Sequence, residues 1–433
     1  MKIYDTATKY VKQAGKRRGA NMGILDITHP DIEAFIISKS DGKSLQNFNI
    51  SIGITNTFMD AVEKNKDWQL VNPRTKKITK TIKAKILWDL IVEQAQKTGE
   101  PGLIFLDTIN QENPLPKQGE IHCTNPCGEV PLYDYESCNL GSINLTKMVV
   151  HDGKNNDIDW KKLEKTISIA IRLLDNVIST NHYLLPNIKQ ITLANRKIGL
   201  GVMGWAELLI ILDIPYASEK AVDLAEVLME FIQEKSHAAS GNLAQTRGCF
   251  PSWKESRYAP NTLLRNATCN SIAPTGSISV IADTSYSIEP LYALSYKRIG
   301  ILDDRTQIEI NSIFIEKMKL LGFWTKEIQD QVIANGSIQN IEHIPKKIKK
   351  LFETSLEIPW KYHLLHQRAF QKYTDNAVSK TINLASYTSA KEVSKIYNTA
   401  WKYRLKGITI YRNGSRTNQI LQPCGVNLED RCS

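Results

Sequence analysis

Seven cysteines in 433 residues is a sparse and odd supply, which excludes a full disulfide framework. The basic start MKIYDTATKYVKQAGKRRGA lacks the apolar core of a secretion signal, so these thiols read as reduced thiols of a cytoplasmic protein. No run of about eighteen apolar residues occurs, and a membrane-spanning helix is not expected. There is no internal repeat and no low-complexity tract. The surplus of 55 Lys+Arg over 45 Asp+Glu, a formal +10, suits phosphate-bearing partners. Yet no basic stripe is interleaved with aromatics and no helix-turn-helix signature is present, so nucleotides fit the charge better than nucleic acid. A solvated, Lys-rich surface accounts for the same charge with no partner at all.

What is present is an alternation of apolar strands and amphipathic helices. MGILDIT (22–28) and NFNISIGIT (47–55) read as strands, and a helix opens at HPDIEAFI with Pro30 in its first turn. A first helix is expected from Lys2 to about Gln13. Ile82, Ile86, Leu87, Leu90 and Ile91 are spaced for one helical face ending near Gly99. Leu163, Ile167, Ile171 and Leu174 do the same from Trp160 to Thr180, and Val222, Ala225, Leu228 and Ile232 follow a start at Ser218. Ser389 and Glu392 form a capping box ahead of Val393, Ile396, Ala400 and Trp401; Gly407 ends that helix and ITIY begins a strand. Residues 151–158 and 325–349 read as polar loops. The pattern predicts an α/β protein with a mainly parallel sheet, open or closed, and a site on loops at strand ends.

The stretch NPCGEVPLYDYESCNL (125–140) concentrates chemistry. In an extended segment Asn125, Cys127 and Glu129 share a face, while Pro126 and Gly128 break any helix and let a ligand approach the backbone. A carboxylate beside a thiol disfavours the thiolate. The trio therefore suits sulfur as a one-electron agent, with the carboxylate handling a hydroxyl proton. Two other readings stay open. Cys123, Cys127 and Cys138 with His122 would make a zinc set, though no C-x-x-C pair is present; or Cys127 is a buried small apolar residue. In SIAPTGSISVIAD, the residues Pro274, Thr275, Gly276, Ser277 and Ile278 can offer backbone N–H groups and hydroxyls to an anion, or form an ordinary capped turn. VKQAGKRRGANMG reads on its own as a solvated basic turn.

CTNPCGEVPLYDYESCNLGSINL resembles the corresponding segment of ribonucleotide reductase large subunits, in the form of the adenosylcobalamin-dependent class. GKRRGANMGILDITHPDIEAFI, APTGSIS, SKTINLA and KGITIYRNGSR resemble further segments of that family, in the same order, across nearly the whole chain. The resemblance implies the major part of a ten-stranded α/β barrel that reduces ribonucleotides to 2′-deoxyribonucleotides. It makes Cys127 the thiyl-radical site, Glu129 the base for the 3′-hydroxyl, Asn125 the holder of the sugar hydroxyls and Cys138 one of two redox thiols. Substrate is then bound by Asn125, Pro126, Cys127, Gly128, Glu129 and the Pro274–Ile278 turn. Lys12, Gln13 and Arg17 match the loop that relays an effector nucleotide. Ile410 before Tyr411 departs from the tyrosine pair of the diiron class, and no glycyl-radical motif is present. Adenosylcobalamin is the cofactor that remains.

The family places its first redox cysteine and first strands upstream of the segment matching Met1. An N-terminal fragment of the same enzyme, supplied in trans, is therefore an expected partner. The others are a ribonucleotide, an effector, an external dithiol such as a thioredoxin-like reductant, and a second copy in a homodimer. Residues 1–433 are expected to be one incomplete barrel domain with a tail from 414, where Cys424 and Cys432 resemble the family's electron-passing tail thiols. No metal site is assigned. The competing reading is a non-catalytic nucleotide-binding remnant of the same fold.

Overall fold

The computed structural model describes residues 1–13, 17–153, 155–301, 305–415 and 422–423. Five strands hydrogen-bond in the order Thr381–Leu384, Gly407–Arg412, Gly102–Phe105, Phe48–Ile54 and Asn21–Asp26. The first two run parallel and the last three run parallel, with an antiparallel seam where Gly407 meets Ile104. Beyond Thr381 the sheet continues. Ile272 bridges Val378 and Asn270 bridges Leu200, both in parallel, and Ile198–Met203 pairs in parallel with Asn139–Asn144. The result is a wall of paired strands whose two ends are Asn21–Asp26 and Asn139–Asn144. Among the described residues neither end strand has a further neighbour, so the barrel is not closed.

Close approach inside this wall explains a glycine alternation. A Cβ on Gly201 would stand 2.2 Å from the Ser271 carbonyl oxygen, and one on Gly199 would stand 2.5 Å from Leu140. Only hydrogen fits there.

Helices cover the outside. The helix Trp160–Thr180 buries Leu163, Ile167, Ile171, Leu174 and Ile178, and Asp159 caps it by accepting from the Lys162 N–H at 3.0 Å. Each buried leucine or isoleucine is worth roughly 1.5–3 kcal/mol of transfer free energy. Glu219–Arg247 packs beside it with Ser218 as its cap. Over the five-stranded sheet lie Ala84–Thr98 and Ala390–Lys402, the latter capped by Ser389, with Trp88 donating to Ser394 Oγ at 2.8 Å between them. No helix among the described residues is long and apolar enough to cross a membrane.

Several elements differ from expectation. The first helix stops at Tyr10, and residues 12–13 pair with 17–18 instead. Residues 149–151 pair antiparallel with 156–158, and 325–349 hold the helices Lys326–Asn335 and Lys346–Leu351. Ile82 lies in the strand Ile78–Lys83, and Ile86 is 56% exposed, because the helix starting at Ala84 turns Leu87 and Ile91 inward.

Asp375 locks the helical layer to the wall. Its carboxylate accepts from His237 Nε2 at 2.9 and 3.0 Å, from Gln233 at 3.2 Å and from the Cys269 N–H at 2.7 Å. Burial opposes charge on both partners, but their attraction wins: His237 is raised above the usual imidazole value and Asp375 held below the usual carboxylate value. The pair therefore stabilises the fold fully between the unfolded values of about 3.9 and 6.5. Its contribution fades as pH falls through the lowered Asp375 value or rises through the raised His237 value. Asp375→Asn is expected to cost about 3 kcal/mol. In urea unfolding, the gap from wild type should be widest between about pH 4 and 6.5.

Candidate active site

A cavity of about 780 Å³ lies against the inner side of the wall. Its lining includes Ser51, Gly102, Asn383 and Tyr411 from strands, Lys380 just ahead of one, Pro274 and Gly276 from a turn, and Pro126, Cys127 and Gly128 from a finger. The finger is a hairpin: Cys123–Thr124 pairs antiparallel with Pro131–Leu132. Its tip is a tight turn in which the Gly128 N–H donates to the Asn125 carbonyl at 3.0 Å, and Gly128 takes φ +80°, where a side chain is strained. Both halves of the wall hold it. Asn49 Nδ2 donates to the Pro126 carbonyl at 2.7 Å, while the Ala377 N–H and Ser271 Oγ each reach the Glu129 carbonyl at 2.9 Å.

This geometry alters the reason given for grouping the strip. The segment is a turn and not an extended strand, so alternation does not place its side chains. Cys127 is exposed at the tip and meets the cavity. Glu129 is only 2% exposed, and its Oε2 has no hydrogen-bond partner. Burial pushes the Glu129 carboxyl above the usual range, while a hydrogen bond from the Asn125 side chain works the other way. Asn125 Oδ1 accepts the Val130 N–H at 3.0 Å, which leaves its amide nitrogen to face acceptors.

Cys138 is half-buried at the head of the open edge strand, and burial pushes its thiol up. The four zinc candidates do not converge. Among the described residues, the His, Cys and carboxylate atoms that do are those of His237, Cys269 and Asp375, whose carboxylate is already filled with hydrogen bonds.

In the turn, Pro274, Gly276, Ser277 and Ile278 are exposed, but Thr275 is buried. Its hydroxyl accepts the Ser287 N–H at 2.8 Å and contacts Ser279 Oγ at 2.7 Å, so it braces the turn from within and does not face outward. Thr275 sits at φ +56°, a costly conformation for a β-branched residue, and these bonds hold it there. The backbone of residues 12–13 and 17–18 forms a two-stranded ribbon pairing Gln13 with Arg17. Cys424 and Cys432 lie outside the described residues.

Sequence reasoning missed a charged cluster on the cavity wall. Lys380 Nζ donates to Glu289 Oε2 at 2.5 Å and to His363 Nδ1 at 3.2 Å. His363 Nε2 donates to the Ser355 carbonyl at 3.1 Å, which fixes the neutral tautomer. Burial, aided by the Lys380 charge, holds His363 far below its usual value. Ser355 and Gln367, both 1% exposed, line the same cavity, and Ser355 Oγ and Gln367 Oε1 have no partner. The available signal was a lysine and a glutamate set inside apolar runs, in SKTINL and SIEPL.

The family model described as "Ribonucleotide reductase, barrel domain" matches residues 1–263 and 261–411. The chain is 50% identical over 423 residues to the vitamin B12-dependent ribonucleoside-diphosphate reductase of Thermoplasma acidophilum, covering 97% of this chain and 54% of that protein. The protein of the same name from Mycobacterium tuberculosis is 46% identical over 422 residues, covering 97% of this chain and 60% of its own. The class Id ribonucleotide reductase alpha subunit of Actinobacillus ureae superposes with a TM-score of 0.78 at 25% identity, covering 95% of this chain and 73% of that one. This chain thus spans little more than half the length of the two B12-dependent relatives. The chain belongs to the ribonucleotide reductase family, whose barrel-domain model it matches from residue 1 to residue 411.

Proposed function

We propose that this chain carries the centre that reduces ribonucleotides to 2′-deoxyribonucleotides through a thiyl radical on Cys127. The observation that supports this most is the exposed Cys127 thiol at a finger tip against the cavity, with Pro274 and Gly276 of the turn on the same lining. In this reading the Cys127 sulfur removes the ribose 3′-hydrogen. Glu129, its carboxyl raised by burial, takes the 3′-hydroxyl proton, and the Asn125 amide nitrogen holds the sugar hydroxyls. Pro126 and Gly128 shape the approach to the sugar. The exposed backbone of Gly276, Ser277 and Ile278, with Pro274 beside it and Thr275 as brace, receives the phosphates. Lys12, Gln13 and Arg17 serve an effector nucleotide.

The 2′-hydroxyl leaves as water while two thiols become a disulfide, and an external dithiol of the thioredoxin kind restores them. Cys138 is one of the two. It heads the Asn139–Asn144 strand, whose outer edge is open among the described residues, so a partner thiol would arrive on a strand laid along that edge. The reaction therefore needs the remaining length seen in the relatives, continuous with this chain or supplied in trans. One barrel domain followed by a tail from 414 fits this arrangement.

The two reductase relatives named as B12-dependent point to adenosylcobalamin as cofactor, which when bound supplies one-electron oxidation of a nearby thiol. That group would meet this chain at Cys127, whose exposed thiol faces the cavity that the substrate fills.

The test combines this chain with the N-terminal portion of a relative, adenosylcobalamin, a dithiol and each of the four ribonucleoside diphosphates. Deoxyribonucleotide should form. No product with any base, while the nucleotides still bind, would replace this reading with that of a non-catalytic remnant.

A further inference from the structure

Lys197 and Glu136 form a buried ion pair, Nζ to Oε2 at 2.7 Å, with side chains 1% and 0% exposed. Glu136 is fixed by Asn195 Nδ2, which donates to Oε1 at 2.7 Å, and by the Tyr133 N–H, which donates to Oε2 at 3.0 Å. Lys197 also donates to the Pro131 carbonyl at 3.3 Å and stands 5.0 Å from the Tyr133 ring centre. The pair thus ties the base of the Cys127 finger to the Ile198–Met203 strand. Parallel register pairs Asn139 with Ile198, which sets Lys197 beside Cys138 one step before the ladder begins. Glu136 precedes the same thiol by two residues.

We propose that this pair sets the acidity of Cys138, with Lys197 as the positioning residue that stabilises the Cys138 thiolate when the redox disulfide is opened. The inference rests on Cys138 being a redox thiol. A thiolate of the reducing dithiol, whether a tail pair or an external one, attacks the partner sulfur of the Cys138 disulfide. The S–S bond breaks, and Cys138 leaves with the electron pair and then takes a proton. The second thiol of the reductant resolves the mixed disulfide, so the reductant ends oxidised and both enzyme sulfurs end as thiols. A leaving sulfur departs faster as its pKa falls.

The charges around each thiol bear this out. At Cys138 burial is the largest influence and raises the pKa, Lys197 lowers it, and Glu136 and Glu129 raise it. At Cys123 burial, Asp134 and Glu136 raise it and Lys197 lowers it. Lys197 is thus the cation favouring the thiolate at both sulfurs. A buried ammonium keeps its charge only with a counter-charge, and Glu136 is that counter-charge.

The test is alkylation of the purified chain with iodoacetamide, each cysteine followed by mass spectrometry across pH 7–9. It needs no turnover, so its outcome is independent of whether the reductase reading holds. Lys197→Met is expected to slow Cys138 alkylation about tenfold at each pH, the effect of one pKa unit, and Lys197→Arg to restore it. Glu136→Gln is expected to speed it. A merely structural role would loosen the site and make Cys138 react faster in Lys197→Met. If that single variant does not fold, Lys197→Met/Glu136→Gln leaves no unpaired charge and is expected slower than wild type, because the parallel register sets Lys197 beside Cys138. Faster or unchanged alkylation in the folded variant lacking Lys197 overturns the proposal.

Discussion

Cys127→Ser, in this chain assembled with the N-terminal portion, is expected to lower deoxyribonucleotide formation by about ten-thousandfold or more, equivalent to about 5 kcal/mol of barrier. Nucleotide affinity should change by less than about threefold. The two quantities separate because the sulfur is exposed, while the finger tip is held by backbone and Asn49 contacts that do not need it. A hydroxyl of nearly the same shape leaves those contacts in place, but its O–H bond is far stronger than S–H, so it does not give up its hydrogen atom to form the radical. Turnover within about tenfold of wild type would remove Cys127 from the radical role.

Glu129→Gln should cost about a hundred- to ten-thousandfold in kcat, the range for losing a positioned acid–base group. Its pH signature is the sharper test. A base must be ionised, and burial raises the Glu129 carboxyl, so kcat/KM should fall on the acid side at a pH above the ordinary glutamate value of about 4.3. Asn125→Ala removes a hydrogen bond that favours the charged form, so the acid limb should move to still higher pH. If Glu129→Gln keeps the wild-type limb, another group is the base.

Local pattern was legible in the sequence wherever one residue's surroundings decide its fate. The Trp160–Thr180 and Ala390–Lys402 helices follow from apolar spacing and their caps, because an amphipathic helix needs only its own period and one face to bury. Lys326–Asn335 was hidden because it buries just Ile328 and Val332, too few to set a period against its charged neighbours. The antiparallel seam between Gly102–Phe105 and Gly407–Arg412 joins segments some three hundred residues apart, and apolar runs carry no sign of strand direction. The site divides in the same way. Cys127 stands out in the sequence between an amide and a carboxylate, though its turn geometry does not. Lys380 and Glu289 show only as charges inside apolar runs, and Lys197 and Glu136 not at all, since a charge reads as solvated until a partner from a distant segment is placed beside it.

The most direct test of the central claim is loss of tritium to water from adenosylcobalamin labelled at its 5′-carbon, measured with the assembled enzyme and an effector nucleotide. If the Cys127 thiol is the hydrogen carrier between cofactor and substrate, the wild-type protein should release label to solvent through that exchangeable S–H, and Cys127→Ser should release none. Release that persists in Cys127→Ser, or its absence from a wild-type assembly that binds both nucleotide and cofactor, would contradict the account.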